Sequence, residues 1–154
     1  MSELNINNQV TEFKALWHQI LDLDRKLGID KLFPNFHQLS TTEISIIQIV
    51  FEKNDVILKD ISQRLGLPKS TLTNTINRLE KKGYLQRAIS KQDLRSYSLE
   101  LTSKGLLAQK EHAEYESLVF KGIMQALNSD EERCDLIRLL KTIIDNIERE
   151  GVGK

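Results

Sequence analysis

The segment KSTLTNTINRLEKK, residues 69–82, is rich in side chains that form hydrogen bonds with the base edges of DNA. At about 100° per residue of a helix, Leu72, Ile76 and Leu79 fall on one side. Hydroxyl, amide and cationic groups fall opposite; in the major groove Asn matches adenine, Arg matches guanine, and Ser or Thr matches either bases or phosphates. The pattern predicts a DNA-reading helix whose contacts are Lys69, Ser70, Thr71, Thr73, Asn74, Arg78 and Lys81.

An alternative is that these polar side chains only face solvent. The segment contains three Thr and two Asn, which are poor helix formers, so they lower helix stability with no gain in packing. Their presence favours contact with DNA over simple solvation. Lys69 and Lys81 are expected at phosphates, which set the position of a protein on DNA rather than its sequence preference.

A hairpin is predicted directly after this helix. Residues 84–89 and 96–101 read as two strands, and burial is expected to alternate along the first of them. The tip between the strands, residues 91–95, reads KQDLR and carries more positive than negative charge. The sequence therefore predicts a cationic loop beside the DNA-reading helix.

The charged residues of this hairpin complete the predicted DNA surface. Lys91 and Arg95 supply positive charge, and Asp93 can close a turn or brace Arg87 or Arg95. Arg95 could enter a minor groove, where narrow A·T-rich DNA concentrates negative potential. We therefore add Arg87, Lys91, Asp93 and Arg95 to the DNA-binding residues. The alternative is that Asp93 and Arg95 pair only with each other and stiffen the loop.

Charge is segregated along the chain. Residues 59–95 contain nine Lys or Arg and three Asp or Glu, a net charge of +6, whereas the remaining residues carry −6 and the whole chain is neutral. Segregated charge can create a positive surface on a neutral protein, as nucleic-acid binding requires. The alternative is that the cations only solvate helix surfaces, but the hairpin charges lie outside any predicted helix.

Two further helices are predicted to position the DNA-reading helix. Ser40 and Glu43 form a capping box at the start of a helix that is apolar on most sides and must sit in the middle of the domain. A short helix follows and ends at Gly66, a favourable residue for a left-handed C-terminal cap. Its spacing from the helix that begins at Lys69 is that of a helix-turn-helix.

The two ends of the chain carry more apolar surface than one small domain needs. Near the start, a helix from about Gln9 to Leu27 is predicted from the stripe Val10, Phe13, Trp17, Ile20 and Leu21. Near the end, a long helix opens at residue 103, and Ser129 and Glu132 cap a last helix with the stripe Leu136, Leu140, Ile143 and Ile147. Burial of these side chains between two copies would favour a homodimer. The alternative is that the stripes pack on each other within one chain.

The run LGLPKSTLTNTINRLEKKGYLQR, followed by DLRSYSLELTSKG, resembles the MarR family of bacterial winged-helix transcription regulators. The resemblance implies a mainly α fold with a small antiparallel β-hairpin wing (α+β). It implies a winged helix-turn-helix DNA-binding lobe over residues 40–102, between an N-terminal dimerisation helix and connection (1–39) and C-terminal dimerisation helices (103–154). The implied function is a sequence-specific, double-stranded DNA-binding transcription regulator, a ligand-responsive repressor that acts as a homodimer on a pseudo-palindromic operator. Arg95 is then the wing residue in the minor groove, held by Asp93.

The resemblance also implies a small-molecule effector between the dimerisation region and the DNA-binding lobe. Aromatic and imidazole side chains could line its site: Phe13, Trp17, His18, Phe36 and His37. The alternative is that they belong to the core, as an aromatic stripe at helical spacing usually does. No cofactor or metal is expected, since the three His, even with Glu111, lack tight ligand spacing.

Several function classes are disfavoured. We expect no enzyme, because no Gly-rich phosphate loop, nucleophile elbow or paired metal motif is present. We expect a cytoplasmic protein, because no segment has the roughly 18 consecutive apolar residues of a membrane span. Cys134, the one cysteine, is interpreted as a buried spectator thiol rather than a redox sensor. The rival function is a winged-helix protein–protein interaction adaptor without DNA binding.

Overall fold

The computed structural model describes residues 3–23, 26, 28–53, 55–91 and 96–151. In chain order its elements are α1 (Glu3–Leu21), a 3-10 helix (Ile29–Leu32), α2 (Thr41–Glu52), β1 (Val56–Ile57), α3 (Leu58–Leu65), α4 (Lys69–Lys81), β2 (Leu85–Ile89), β3 (Tyr97–Leu101), α5 (Ser103–Gln125) and α6 (Asp130–Gly151). The predicted fold class, mainly helical with a small antiparallel sheet, is confirmed. None of the described helices is both long and apolar enough to cross a membrane.

The chain divides into two compact units, Met1–Tyr115 and Glu116–Lys154. The first contains the helix-turn-helix and the sheet, and the second contains the end of α5 and all of α6. The functional division predicted at residues 39 and 102 remains a prediction.

Helix α1 differs from its predicted bounds. It begins at Glu3, six residues before the predicted Gln9, and ends at Leu21 rather than near Leu27, which lies outside the described residues. The earlier start has a clear cause, because Ile6 lies one turn before Val10 and extends the same apolar stripe. After Gly28 the chain continues in the 3-10 helix Ile29–Leu32.

Helix α2 forms the centre of the first unit, as predicted. Its capping box is present: the Glu43 N–H donates to Ser40 Oγ at 3.3 Å, and the Ser40 N–H donates to Glu43 Oε2 at 2.8 Å. Its buried apolar side chains are Ile46, Ile47, Ile49 and Val50. Phe51, at the C-terminal end, is exposed, so α2 is not covered on every side.

The helix-turn-helix is confirmed in α3 and α4. Helix α3 ends at Gly66, whose φ of +62° lies in the left-handed region that glycine adopts without strain. In α4, Leu72, Ile76 and Leu79 are all 0% exposed, so the predicted apolar side is the buried one. Thr75 is also buried, and its hydroxyl donates to the carbonyl of residue 71 at 2.9 Å.

The sheet has three antiparallel strands in the order β1-β3-β2. The predicted hairpin is confirmed to within one residue at each strand, with Leu85 opposite Leu101 and Ile89 opposite Tyr97. The prediction that burial alternates along β2 is wrong, because the hairpin leaves the core towards its tip. There, Ile89 and Tyr97 are 65% and 62% exposed. Strand β1 was not predicted, since two residues carry no periodic signal.

The second unit contains the predicted last helix. The Glu132 N–H donates to Ser129 Oγ at 3.2 Å, which confirms one half of the predicted cap. The other half differs, because the Glu132 carboxylate accepts from the Asn128 N–H at 2.7 Å rather than from that of Ser129. Along α6 the apolar side chains of Leu140, Ile143 and Ile147 are exposed in the single chain, whereas Leu136 is partly exposed. Cys134 on the same helix is exposed, so the predicted burial of its thiol is wrong.

Candidate nucleic-acid interface

Helix α4 exposes polar groups that have no partner within the described part of the chain. Ser70 and Asn74 are exposed, and neither side chain forms a hydrogen bond with a described residue. Lys69 and Lys81 are also exposed, and neither forms an ion pair there. These four side chains are therefore available to an external partner with acceptors, donors and negative charge, which is the chemistry of a DNA groove.

The threonines of this surface are partly committed to the helix itself. Thr73 Oγ1 donates to the carbonyl of Lys69 at 2.8 Å, so its hydroxyl hydrogen is already used. Thr73 can still offer a methyl group and an acceptor lone pair. Thr71 is exposed, and only its backbone carbonyl is engaged by another side chain. The structure thus leaves Thr71 the more versatile of the two predicted contacts.

Arg78 is anchored by a buried carboxylate. Its Nε donates to Glu43 Oε1 at 2.9 Å, and Lys82 Nζ donates to the same oxygen at 3.1 Å. Glu43 is 2% exposed. Burial raises the pKa of this carboxyl, but hydrogen bonds from the Ser40 N–H, Lys82 and Arg78 outweigh that effect and lower the pKa to about 2. A charged Glu43 therefore fixes the C-terminal half of α4 to the start of α2.

Arg87 is also held by residues of α4. Its Nη2 donates to Asn77 Oδ1 at 2.7 Å, and its Nη1 forms an ion pair with Glu80 at 2.9 Å. Asn77 and Glu80 lie one turn apart on the helix, so one planar guanidinium can bridge them. Arg87 links β2 to α4 and is less available to DNA than its charge alone suggests.

The base of the wing is fixed by Asp55, a residue that the sequence analysis did not single out. Ser90 Oγ donates to Asp55 Oδ2 at 3.0 Å, and the Lys91 N–H donates to Asp55 Oδ1 at 3.1 Å. Asp55 has a φ of +57°, a conformation that Asp tolerates better than most residues. The Lys91 side chain is exposed and forms no ion pair with the described residues. Asp93 and Arg95, the other two predicted wing residues, lie outside the described residues.

The predicted effector residues fall into two groups. On α1, Phe13 and Trp17 stack at 6.0 Å between ring centroids and are 63% and 48% exposed, with His18 exposed beside them. Phe36 instead belongs to the core and is 6% exposed. The exposed His37 lies against it, with 4.6 Å between the two ring centroids. The described residues show no ring contact between the two groups.

Glu111, considered as a metal ligand, has a structural role. Its carboxylate accepts from the Asn35 N–H at 2.7 Å, Asn35 Nδ2 at 2.6 Å and the Phe36 N–H at 3.1 Å. The Tyr84 hydroxyl donates to the Asn35 carbonyl at 2.8 Å and continues this network to the end of the helix-turn-helix. No group of three His, Cys, Asp or Glu side chains that could hold a metal occurs among the described residues.

Comparison with known proteins identifies the family of this chain. Residues 39–97 match the family model described as MarR family. The HTH-type transcriptional regulator SarZ of Staphylococcus haemolyticus is 30% identical over 110 residues, which cover 71% of this chain and 73% of that protein. These relatives are transcription regulators and not enzymes.

Two solved structures share the fold over nearly the whole chain. The FabT protein of Streptococcus pneumoniae, solved in complex with DNA, aligns with a TM-score of 0.69 and 26% identity and covers 96% of this chain and 99% of its own. The YusO protein of Bacillus subtilis aligns with a TM-score of 0.72 and 16% identity, covering 94% of this chain and 99% of its own. A winged helix with long flanking helices is thus the shared architecture.

Proposed function

Because this chain belongs to the MarR family of DNA-binding transcription regulators, we propose that it is a ligand-responsive repressor that binds a pseudo-palindromic operator as a homodimer. Members of this family bind duplex DNA as dimers. Helix α4 would lie in the major groove of each half-site, and the wing would reach the adjacent minor groove. Two-fold symmetry of the dimer requires two equivalent half-sites, about one helical turn apart.

The observation that carries this proposal is the two-sided character of α4. Its apolar residues Leu72, Ile76 and Leu79 are fully buried, whereas the opposite side is exposed. That exposed side presents hydroxyl, amide and ammonium groups, which match base edges and phosphates. The side chains of Ser70, Asn74, Lys69 and Lys81 have no partner among the described residues. The proposed helix contacts are Lys69, Ser70, Thr71, Thr73, Asn74, Arg78 and Lys81.

The proposed wing contacts rest on different grounds. Lys91 is supported by its exposed side chain, which forms no ion pair with the described residues, at the fixed base of the wing. Arg95 and Asp93 rest on the resemblance of the sequence DLRSYSLELTSKG to the family wing. Arg95 would supply the minor-groove cation, and Asp93 would hold it in place.

The homodimer is supported by the apolar surface of the outer helices. Helix α1 exposes large apolar side chains along its length, including Val10, Phe13 and Leu16, and α6 independently exposes Leu140 and Ile143. Contiguous apolar surface on this scale marks an interaction site in proteins of this size. Because members of the family form dimers, a second copy of the chain is the proposed partner for this surface.

The second part of the proposed function is a response to a small-molecule ligand. Phe13, Trp17, His18, Phe36 and His37 remain its candidate residues, and a ligand that favours one spacing of the two α4 helices would change DNA affinity. Repression would follow where the operator overlaps a promoter. We place the protein in the cytoplasm, where bacterial DNA lies.

Selection of bound duplexes from a random pool tests the proposal. The expected result is an enriched inverted repeat, bound with a slope of log K against log salt that reflects about −0.9 per phosphate contacted. A screen for compounds that release this duplex then tests ligand response. An adaptor without DNA binding would enrich no sequence and show a flat salt response, which would contradict the proposal.

A further inference from the structure

The side chain of Asn77 is locked in one orientation. Arg87 Nη2 donates to Asn77 Oδ1 at 2.7 Å, while Arg87 Nη1 is fixed by Glu80 at 2.9 Å. A guanidinium has donors and no acceptor, so the Asn77 atom that faces Arg87 must be oxygen. The NH2 group of Asn77 is thereby left for other partners, on the exposed side of α4.

We infer that Asn77 reads DNA chiefly as a hydrogen-bond donor, through its NH2 group, and that Arg87 is the positioning residue that imposes this property. The inference rests on the proposed function, because it requires α4 to lie in the major groove. It assigns to Asn77 a base preference that its residue type alone does not predict. A free Asn would instead present both its oxygen and its nitrogen, which suits adenine.

The chemistry of base edges turns this orientation into a preference. Guanine offers two acceptors in the major groove, and thymine offers one, so either can accept from the Asn77 NH2 group. Adenine presents an acceptor beside a donor, and its donor would have to share Asn77 Oδ1 with Arg87, which already uses one of the two lone pairs and holds the carboxamide in one orientation. Cytosine presents a donor and is disfavoured. We therefore expect guanine or thymine at the position that Asn77 contacts.

Asn74 provides an internal comparison. It lies three positions before Asn77, near the same side of α4, and its amide forms no hydrogen bond with a described residue. Its carboxamide can rotate and pair bidentately with adenine. Two asparagines on one helix are thus predicted to read different bases, because only one of them is held by Arg87.

Glu80 explains why an arginine, rather than a lysine, suits position 87. A carboxylate near phosphates is repulsive, and the ion pair with Arg87 offsets its charge. Lysine would also offset this charge, but its single ammonium lacks the planar fork that bridges Asn77 and Glu80 together. The substitution Arg87→Lys therefore keeps the positive charge but no longer holds Asn77 in one orientation.

The experiment measures duplex affinity for the full-length chain with all four base pairs at each operator position. Asn77→Ala first identifies the position that Asn77 reads, as the one whose preference becomes nearly flat. At that position the wild-type chain is expected to favour guanine or thymine over adenine by about tenfold. In Arg87→Lys this ratio should fall to about threefold or less, with the salt slope unchanged.

Two further variants make the test specific. Asn77→Asp keeps an oxygen for Arg87 but has no NH2 group, so its preference should move towards cytosine, which supplies a donor. Arg138→Lys is the matched control, because Arg138 is ion-paired with Asp135 on α6 at 3.0 Å, away from α4 in the sequence. It should retain the wild-type base preferences. Urea unfolding of each variant without DNA checks that the fold is intact.

The outcomes separate the inference from the proposed function. If Arg87→Lys or Asn77→Asp keeps the wild-type preference at every position, the inference is overturned while the regulator assignment stands. If the wild-type chain binds no duplex, the proposed function fails and the inference fails with it. A flattened preference in Arg87→Lys at an unchanged salt slope supports the inference.

Discussion

The helix-turn-helix with its wing buries its main apolar side chains within one chain. The outer helices α1 and α6 leave many of theirs exposed. In the former, Leu72 and Ile76 are fully buried, and Glu43 joins two helices through charged hydrogen bonds. In α1 and α6, considered separately, apolar side chains such as Phe13 and Ile143 remain exposed. The core of the first region therefore forms within a single chain, whereas the outer helices supply the exposed apolar surface that a dimer requires.

The largest expected effect tests the internal bonding of the DNA-binding region. Glu43→Gln should lower the free energy of unfolding by about 3 kcal/mol, because Arg78 and Lys82 lose a buried partner charge. Urea denaturation measures this change. The matched control is Glu52→Gln at the other end of α2, where the pair with Arg64 is exposed and should contribute little. Equal effects of the two variants would contradict the anchoring role of Glu43.

The same carboxylate predicts a dependence of stability on pH. Its pKa is about 2 in the folded chain, against an ordinary value of 4.5, so the unfolded chain takes up the proton first as pH falls. The stabilisation by Glu43 is therefore complete above pH 4.5 and is lost between pH 4.5 and 2. In Glu43→Gln the decline over this range should be shallower, as thermal melts at several pH values would show.

A smaller effect tests close packing against the end of the helix-turn-helix. Gly105→Ala would place a Cβ against the carbonyl oxygen of Tyr84, a rigid backbone atom. We expect a loss of about 2 kcal/mol in the free energy of unfolding. Gly122→Ala in the same helix meets no atom within 4 Å and should be neutral or slightly stabilising. The comparison fails if both variants destabilise alike.

A charged residue at an apolar position of α6 tests the role of the outer helices in self-association. Ile143→Asp should weaken self-association by at least about tenfold, since a carboxylate would be buried in the dimer interface. Sedimentation velocity measures this change, and circular dichroism should show retained helix. Glu148→Ala on the same helix is a control that removes a charge and should leave association nearly unchanged. A dimer unaffected by Ile143→Asp would place the interface elsewhere.

The smallest expected effect concerns a single base contact. Asn74→Ala should weaken binding to the selected operator by about 1 to 2 kcal/mol and binding to random duplex by less. Lys81→Ala should instead weaken both alike and lower the salt slope by about 0.9. Fluorescence anisotropy at several salt concentrations separates the two patterns. Equal losses of Asn74→Ala on both duplexes would assign Asn74 to the phosphates.

Features coded by neighbouring residues could be predicted from the sequence. The capping box of Ser40 and Glu43 spans three positions, and the buried stripe of α4 follows helical periodicity, so both were found. The bond between Glu43 and Arg78 could not be found, because it joins residues 35 positions apart. Asp55 was missed for the same reason, since only the folded chain brings it to the base of the wing.

The ion pairs of the candidate site could not be predicted from the sequence either. The sequence places the cations from Lys69 to Lys91 in one predicted surface but does not tell paired from unpaired ones. Arg78 and Arg87 are held by carboxylates, whereas Lys69 and Lys81 have no ion-pair partner among the described residues. Pairing depends on which acidic residue lies within about 4 Å, and that distance is set by tertiary packing.

The most direct test of a paired chain that presents two α4 helices to DNA is the number of chains bound to one selected duplex. Sedimentation equilibrium of the complex at about 50 mM salt measures this stoichiometry. The account predicts two chains per duplex, with affinity lost when either half of the inverted repeat is scrambled. One chain per duplex, or affinity that is unchanged when one half is scrambled, would contradict it.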